Sequence, residues 1–130
     1  MFVFSVRTKL DNETITCLSI NKDGNELLVG CQSGAIYILD SFSLRVQHKL
    51  IPSDHACVDV LFSAHSNYIA AGDASHAITL WERDEGENNW TDMGRYRPHS
   101  DKLIQLIFID EYGTERLLSL AKDRKLVEYA

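Results

Sequence analysis

Apolar residues along the chain either alternate with polar ones or gather in short runs, and a 3.6-residue helical period is sustained nowhere. The runs fall at Ile15 to Ile20, Cys57 to Phe62 and Leu103 to Ile109. Near-continuous apolarity over so few residues predicts inner strands covered on both faces. Each run leads into turn-forming residues, Asn21 to Asn25, Ala64 to Asn67 and Asp110 to Gly113, types that tolerate the backbone of a tight hairpin. A second strand is then predicted at Leu27 to Gln32, Tyr68 to Asp73 and Arg116 to Ala121, and a third that closes on Leu39, Trp81 and Tyr129. More polar stretches at Val3 to Lys9, Arg45 to Leu50 and Trp90 to Arg97 read as outer strands facing water. The two prolines, Pro52 and Pro98, stand between these groups, where a missing N–H costs no ladder bond.

The strand order recurs because the sequence recurs. ITCLSINKDGNELLVGCQSGAIYILD from Ile15 lays without a gap over CVDVLFSAHSNYIAAGDASHAITLWE, which starts 42 residues later at Cys57. LIQLIFIDEYGTERLLSLAKDRKLVEY from Leu103 is a third copy with two extra residues in its first turn. A period of about 40 to 45 residues built of short strands and turns is the signature of a four-stranded propeller blade, a unit that cannot bury its own faces. The expected fold is therefore all-β: one partial propeller over 1–130, with blades at about 15–50, 57–97 and 103–130, and 1–14 serving as an outer strand and leading loop. Propellers close with about 4 to 8 blades, so another chain is expected to complete this one, either a different blade-bearing polypeptide or a second copy, with a piece cut from a longer protein as the alternative.

Composition narrows the partners. With 45% hydrophobic residues the chain can build a core, while a formal charge of −6 and the lack of a basic patch argue against nucleic-acid or anionic-membrane surfaces. No run of about 18 apolar residues is present, and Met1 to Arg7 lacks the charged leader and apolar stretch of a signal peptide, so a cytoplasmic place is expected. Cys17, Cys31 and Cys57 are odd in number and without CxxC spacing; they read as small buried hydrophobes in a reducing compartment. The acidic segment Asp84 to Asn89 reads as a solvated hairpin tip.

Candidate chemistry is sparse. Ser119, His99 and Asp123 could be written as nucleophile, base and orienter, yet Leu118-Ser119-Leu120 reads as the middle of a buried strand, whereas a nucleophilic serine needs an exposed, strained turn beside an oxyanion hole. His55-Ala56-Cys57 lacks the second Cys/His pair that a metal site requires. Asn21 to Glu26 resembles the start of a calcium loop but has no Glu at loop position 12 and no flanking helices, and Gly30, Gly34 and Gly72 belong to no phosphate-binding motif. The expectation is a non-enzymatic protein that needs no cofactor. Exposed aromatic and Arg side chains on connections are then the candidate contacts: Trp90, Arg95, Tyr96, Arg97 and Tyr112.

In the third copy, Pro98-His99 precedes the inner strand, Ser119 lies on the second, Asp123 in the following turn, and Tyr129 ends the third. This arrangement resembles the WD-repeat family, and the resemblance covers essentially the whole chain. It implies a buried hydrogen-bonded tetrad of His99, Ser119, Asp123 and Tyr129, with Tyr129 offering a hydroxyl where the family has an indole N–H. The second copy keeps His55 and Trp81 but has Ala71 and Ser75 at the Ser and Asp places; the first, with Val29, Ser33 and Leu39, has lost the network. From Tyr68 to Tyr129, the segments YIAAGDASHAITLW, GRYRPHSDKLIQLIFID and RLLSLAKDRKLVEYA are similar to late blades of the ciliary and flagellar WD-repeat family of the calmodulin- and spoke-associated complex. That likeness implies an axonemal scaffold near the radial spoke base that contacts other spoke-associated subunits and supports motility through assembly. A generic WD-repeat adaptor, such as a substrate receptor of a ubiquitin ligase, is the alternative.

Overall fold

The computed structural model describes residues 3, 8–10, 12–85 and 89–129, and among them all regular structure is strand. Eleven strands follow in chain order: β1 (Ile15–Ile20), β2 (Glu26–Cys31), β3 (Ile36–Asp40), β4 (Val46–Leu50), β5 (Cys57–Phe62), β6 (Tyr68–Asp73), β7 (Ile78–Arg83), β8 (Trp90–Tyr96), β9 (Leu103–Glu111), β10 (Thr114–Ala121) and β11 (Leu126–Tyr129). They form three antiparallel sheets, in the orders β1-β2-β3-β4, β5-β6-β7-β8 and β9-β10-β11, which we call blades 1, 2 and 3. Of the outer strand expected at Val3 to Lys9, residues 4–7 lie outside the described residues, and Val3, Thr8 and Lys9 are not in a strand. Residues 86–88 of the acidic segment also lie outside them.

Blade 3 differs from its siblings where the two extra residues enter. β9 and β10 run on until Glu111 pairs with Thr114, leaving a two-residue turn of Tyr112 (φ 53°) and Gly113 (φ 80°). Two consecutive positive φ values are what a hairpin of right-twisted strands demands. The third strands of blades 1 and 2 continue past their marker residues, to Asp40 and Arg83.

Each inner strand also carries a register shift at its start, between Ile15 and Cys17 in blade 1, between Cys57 and Asp59 in blade 2, and opposite Leu120 and Ala121 in blade 3. An extra residue at that point bends and twists the strand. Because the shift recurs at matching positions, the blades share one curvature and can stack.

Stacking makes the core. Leu28, Ile36 and Ile38 of blade 1 pack on Cys57, Val60, Phe62, Ile69, Ala71 and Trp81 of blade 2. The other face of blade 2, with Ala70, Ile78, Leu61 and Leu80, packs on Leu106, Leu117, Phe108 and Tyr129 of blade 3. A third cluster, Val29, Cys31, Tyr37 and Leu39, lies on the remaining face of blade 1 with Leu10 and Leu44. Among the described residues two apolar surfaces stay exposed: Ile15, Leu18 and Ile20 on blade 1, and Ile107, Leu120 and Leu126 on blade 3. Among the described residues, coverage of inner strands on both faces therefore holds for β5 alone, since β1 and β9 each lean on one neighbour.

Candidate functional site

Pro98 ends the β8 connection and delivers His99 into blade 3, where the ring is buried at 3% exposure. Its Nδ1 lies 3.1 Å from both carboxylate oxygens of Asp123, and its Nε2 lies 2.7 Å from Ser119 Oγ. Asp123 also accepts the Ser100 and Lys125 N–H groups at 3.0 and 2.9 Å. The ionised carboxylate only accepts, so Nδ1 donates to it, which leaves Nε2 to pair with the Ser119 hydroxyl. Ser119 Oγ in turn stands 3.0 Å from the Tyr129 hydroxyl, which donates to it. The phenol thus supplies the donor that an indole would.

Burial works to raise the Asp123 carboxyl, but the Lys125, Ser100 and His99 donors together outweigh it and hold the group below the ordinary carboxylate range. Burial raises the Tyr129 phenol, opposed in part by its bond to Ser119. The chain of bonds ties the loop after β8 to the second and third strands of blade 3. It has the hydrogen-bond order of a hydrolytic triad without the access, since Ser119 is 0% exposed and its oxygen is already engaged on both sides. Ser119→Ala is expected to cost about 1 to 3 kcal/mol by orphaning buried partners, and Tyr129→Phe about half of that. Urea unfolding checks this, and equal losses for the two variants would show that His99 draws nothing from the serine.

Blade 2 solves the same problem with different residues. Asp73 is 5% exposed, and its Oδ1 accepts from Ser75 N, Ser75 Oγ and Ala77 N, while Oδ2 accepts from Ser53 Oγ at 3.2 Å and Arg95 Nη2 at 2.9 Å. Burial pushes this carboxyl up; the Ser75 and Arg95 donors overcome it, so the group sits below its ordinary range. Five donors fill a carboxylate, leaving no acceptor for an imidazole. His55, expected to keep its tetrad place, accordingly lies at the surface with its Nε2 3.7 Å from Asp54. Trp81 is 4% exposed and serves the apolar contact between blades. In blade 1, Val29 and Leu39 fill the equivalent space and Ser33 Oγ merely accepts the Ala35 N–H.

The candidate contact residues divide between the two ends of the blades. Arg95 and Arg97 both reach Ser75 Oγ, at 2.8 and 3.3 Å, beside the β6–β7 turn. Tyr96 is 47% exposed and donates its hydroxyl to the Met93 carbonyl. Tyr112 stands clear of the fold at the β9–β10 turn. Trp90 departs from expectation: it is half-buried, packs 6.2 Å from the Phe62 ring and carries the Arg83 guanidinium 4.4 Å over its face. Alternation along β8 turns it toward the blade 1 contact, away from a rim.

Sequence reasoning missed the cross-blade polar ties. Arg83 Nη2 of blade 2 meets Glu26 Oε1 of blade 1 at 2.6 Å, while within blade 2 Arg83 Nε donates to the Ser66 carbonyl at 3.0 Å. His65 Nε2 meets Asp110 Oδ2 at 2.8 Å between blades 2 and 3. Among the described residues no group of three or more His, Cys, Asp or Glu side chains is arranged to hold a metal ion, and no helix is long and apolar enough to cross a membrane.

Residues 2–65 match the family model described as the anaphase-promoting complex subunit 4 WD40 domain. The mouse cilia- and flagella-associated protein 251 is 32% identical over 99% of this chain and 10% of its own length. The relative of the same name from Chlamydomonas reinhardtii is 30% identical over 87% of this chain and 14% of its own. The chain thus spans 10% to 14% of these curated relatives. The crystal structure of the RRP9 WD40 repeats superposes with a TM-score of 0.75 at 24% identity, covering 93% of this chain and 36% of that one.

Proposed function

We propose, for a chain that is built of WD40-repeat blades, a role as a non-enzymatic protein-binding scaffold in the ciliary axoneme, at the base of the radial spoke. The observation that carries this reading is similarity along nearly the whole chain to relatives described as cilia- and flagella-associated protein 251. Rigid stacked sheets with loops at both ends suit the task, because such a scaffold presents fixed surfaces without moving.

Arg95, Tyr96 and Arg97 at one end and Tyr112 at the other are the side chains offered to spoke-associated subunits, being exposed and of the types that dominate binding. The bare apolar surfaces of blades 1 and 3 receive further blades supplied by another chain. Their residues support this, since Ile107, Leu118, Leu120 and Leu126 of blade 3 repeat the places of Leu61, Ala70, Gly72 and Ile78, the blade 2 face that blade 3 covers.

Expressing the tagged chain in a ciliated cell and extracting with detergent tests both parts. The chain is expected to stay with the axoneme, and chemical cross-links are expected to join blades 1 and 3 to a blade-bearing polypeptide. A second reading, an adaptor in another multisubunit complex, is favoured by the match of residues 2–65 to the anaphase-promoting complex subunit. Recovery of the chain with such a complex outside the cilium would replace the ciliary role.

A further inference from the structure

β1 and β5 lie side by side where blade 1 meets blade 2, and each brings one thiol to the contact. Cys17 Sγ is 3.5 Å from Cys57 Sγ, so the two sulfurs touch. Gly30 makes the room: a Cβ built on it would collide with both sulfurs. The Thr16 hydroxyl donates to the Cys57 carbonyl at 2.5 Å, with the Gly30 carbonyl 3.2 Å away, and pins the two strands around the pair. We propose that Cys17 and Cys57 are a dithiol that a hydroperoxide oxidises to an inter-blade disulfide, reversibly stapling blade 1 to blade 2.

The two thiols differ as such chemistry requires. Cys17 is half-buried at the edge of the blade contact, whereas Cys57 is 2% exposed. The Cys57 thiol 3.5 Å away is the largest influence on Cys17, and the Cys17 thiol is lowered to about 7 against the opposing pull of burial and Asp59. Cys57, beside that sulfur and out of water, is pushed upward and keeps its proton. The thiolate is the nucleophile in thiol oxidation.

Cys17 thiolate attacks a peroxide oxygen, the O–O bond breaks, and the products are the Cys17 sulfenic acid and hydroxide, which takes up the proton Cys17 had lost. Cys57 sulfur then attacks the sulfenic sulfur; the S–O bond breaks and the departing hydroxyl leaves as water with the Cys57 proton. Two thiols have lost two electrons, and hydrogen peroxide has become two waters. Thiol exchange with a reductant reverses the bond, as expected of redox-sensing disulfides in reducing compartments.

Cys31 provides an internal control, because it is fully buried among apolar side chains on the opposite face of β2 and burial pushes its thiol up to about 11. The experiment treats the full chain with hydrogen peroxide, blocks remaining thiols with N-ethylmaleimide under denaturing conditions and maps the peptides by mass spectrometry. A Cys17–Cys57 linked peptide that dithiothreitol abolishes is expected, with Cys31 alkylated throughout. The oxidised chain is expected to melt about 10 °C higher, because the bond closes a long loop of the unfolded chain. Cys17→Ser should give no linked peptide and leave Cys57 alkylated.

Oxidation of Cys17 to the sulfinic acid with Cys57 still alkylated would overturn the proposal. So would pairing with Cys31, a disulfide between two copies, or a linked peptide without a rise in Tm.

Discussion

Trp81→Ala is expected to remove about 3 to 5 kcal/mol, the loss typical of a large aromatic taken out of a packed core. Trp81 is 4% exposed and belongs to the cluster that joins blade 1 to blade 2, with Leu28, Ile38, Phe62 and Ile69. A small domain has about 5 to 15 kcal/mol in all, so this single truncation takes a large share of the total. Leu39 and Tyr129 hold the same place in the other blades, but Leu39 is smaller and Tyr129 only half-buried, and each should cost less when cut to Ala. Trp81→Phe, which keeps most of the apolar volume, should restore more than half of the loss. Urea midpoints for the four variants decide the matter. A loss below about 1 kcal/mol for Trp81→Ala would mean that the blades do not depend on this contact.

The strands were legible because period and composition repeat together. Cys57 to Phe62 and Tyr68 to Asp73 fall where alternation and turn residues put them, and the three sheets follow from the repeat. The register shifts were not legible, since an added residue at the start of an inner strand alters pairing without altering the apolar pattern. His99, Ser119, Asp123 and Tyr129 could be picked out because the third copy resembles the WD-repeat pattern, which implies their network. His55 misled for a countable reason: it stands two residues before its inner strand, whereas His99 stands four before its own. Four before Cys57 is Ser53, and Ser53 is the residue that meets Asp73. Trp90 misled because its polar neighbours suggested a rim, while strand alternation turned the indole inward. Contacts between blades had no signal at all. Cys17 with Cys57, and Glu26 with Arg83, depend on which faces meet, and a pattern read along one strand does not contain that.

Breaking the Glu26–Arg83 pair from one side is the second large effect. The side chains are 11% and 23% exposed, and the guanidinium meets Glu26, the Ser66 carbonyl and the Trp90 face at once. Removing one partner of a buried pair costs more than the pair contributes, because the other charge stays out of water unmatched. Asn21 Nδ2 still lies 3.4 Å from Glu26 Oε1, which softens the loss, so Arg83→Ala is expected to cost about 2 to 4 kcal/mol. Arg83→Lys should recover only part of it, because an ammonium cannot hold the carboxylate, the Ser66 carbonyl and the ring together. Glu26→Gln is expected to cost less than Arg83→Ala, since the guanidinium it leaves behind is the more exposed of the two charges and keeps the Ser66 carbonyl and the Trp90 face. The pair Glu26→Leu with Arg83→Met should be more stable than the sum of its single losses by about 1 to 2 kcal/mol, which is the coupling between the two side chains. Urea unfolding of the four corners of that cycle measures it. Simple additivity would show that the two blades are held together here by packing alone, with the ion pair a spectator.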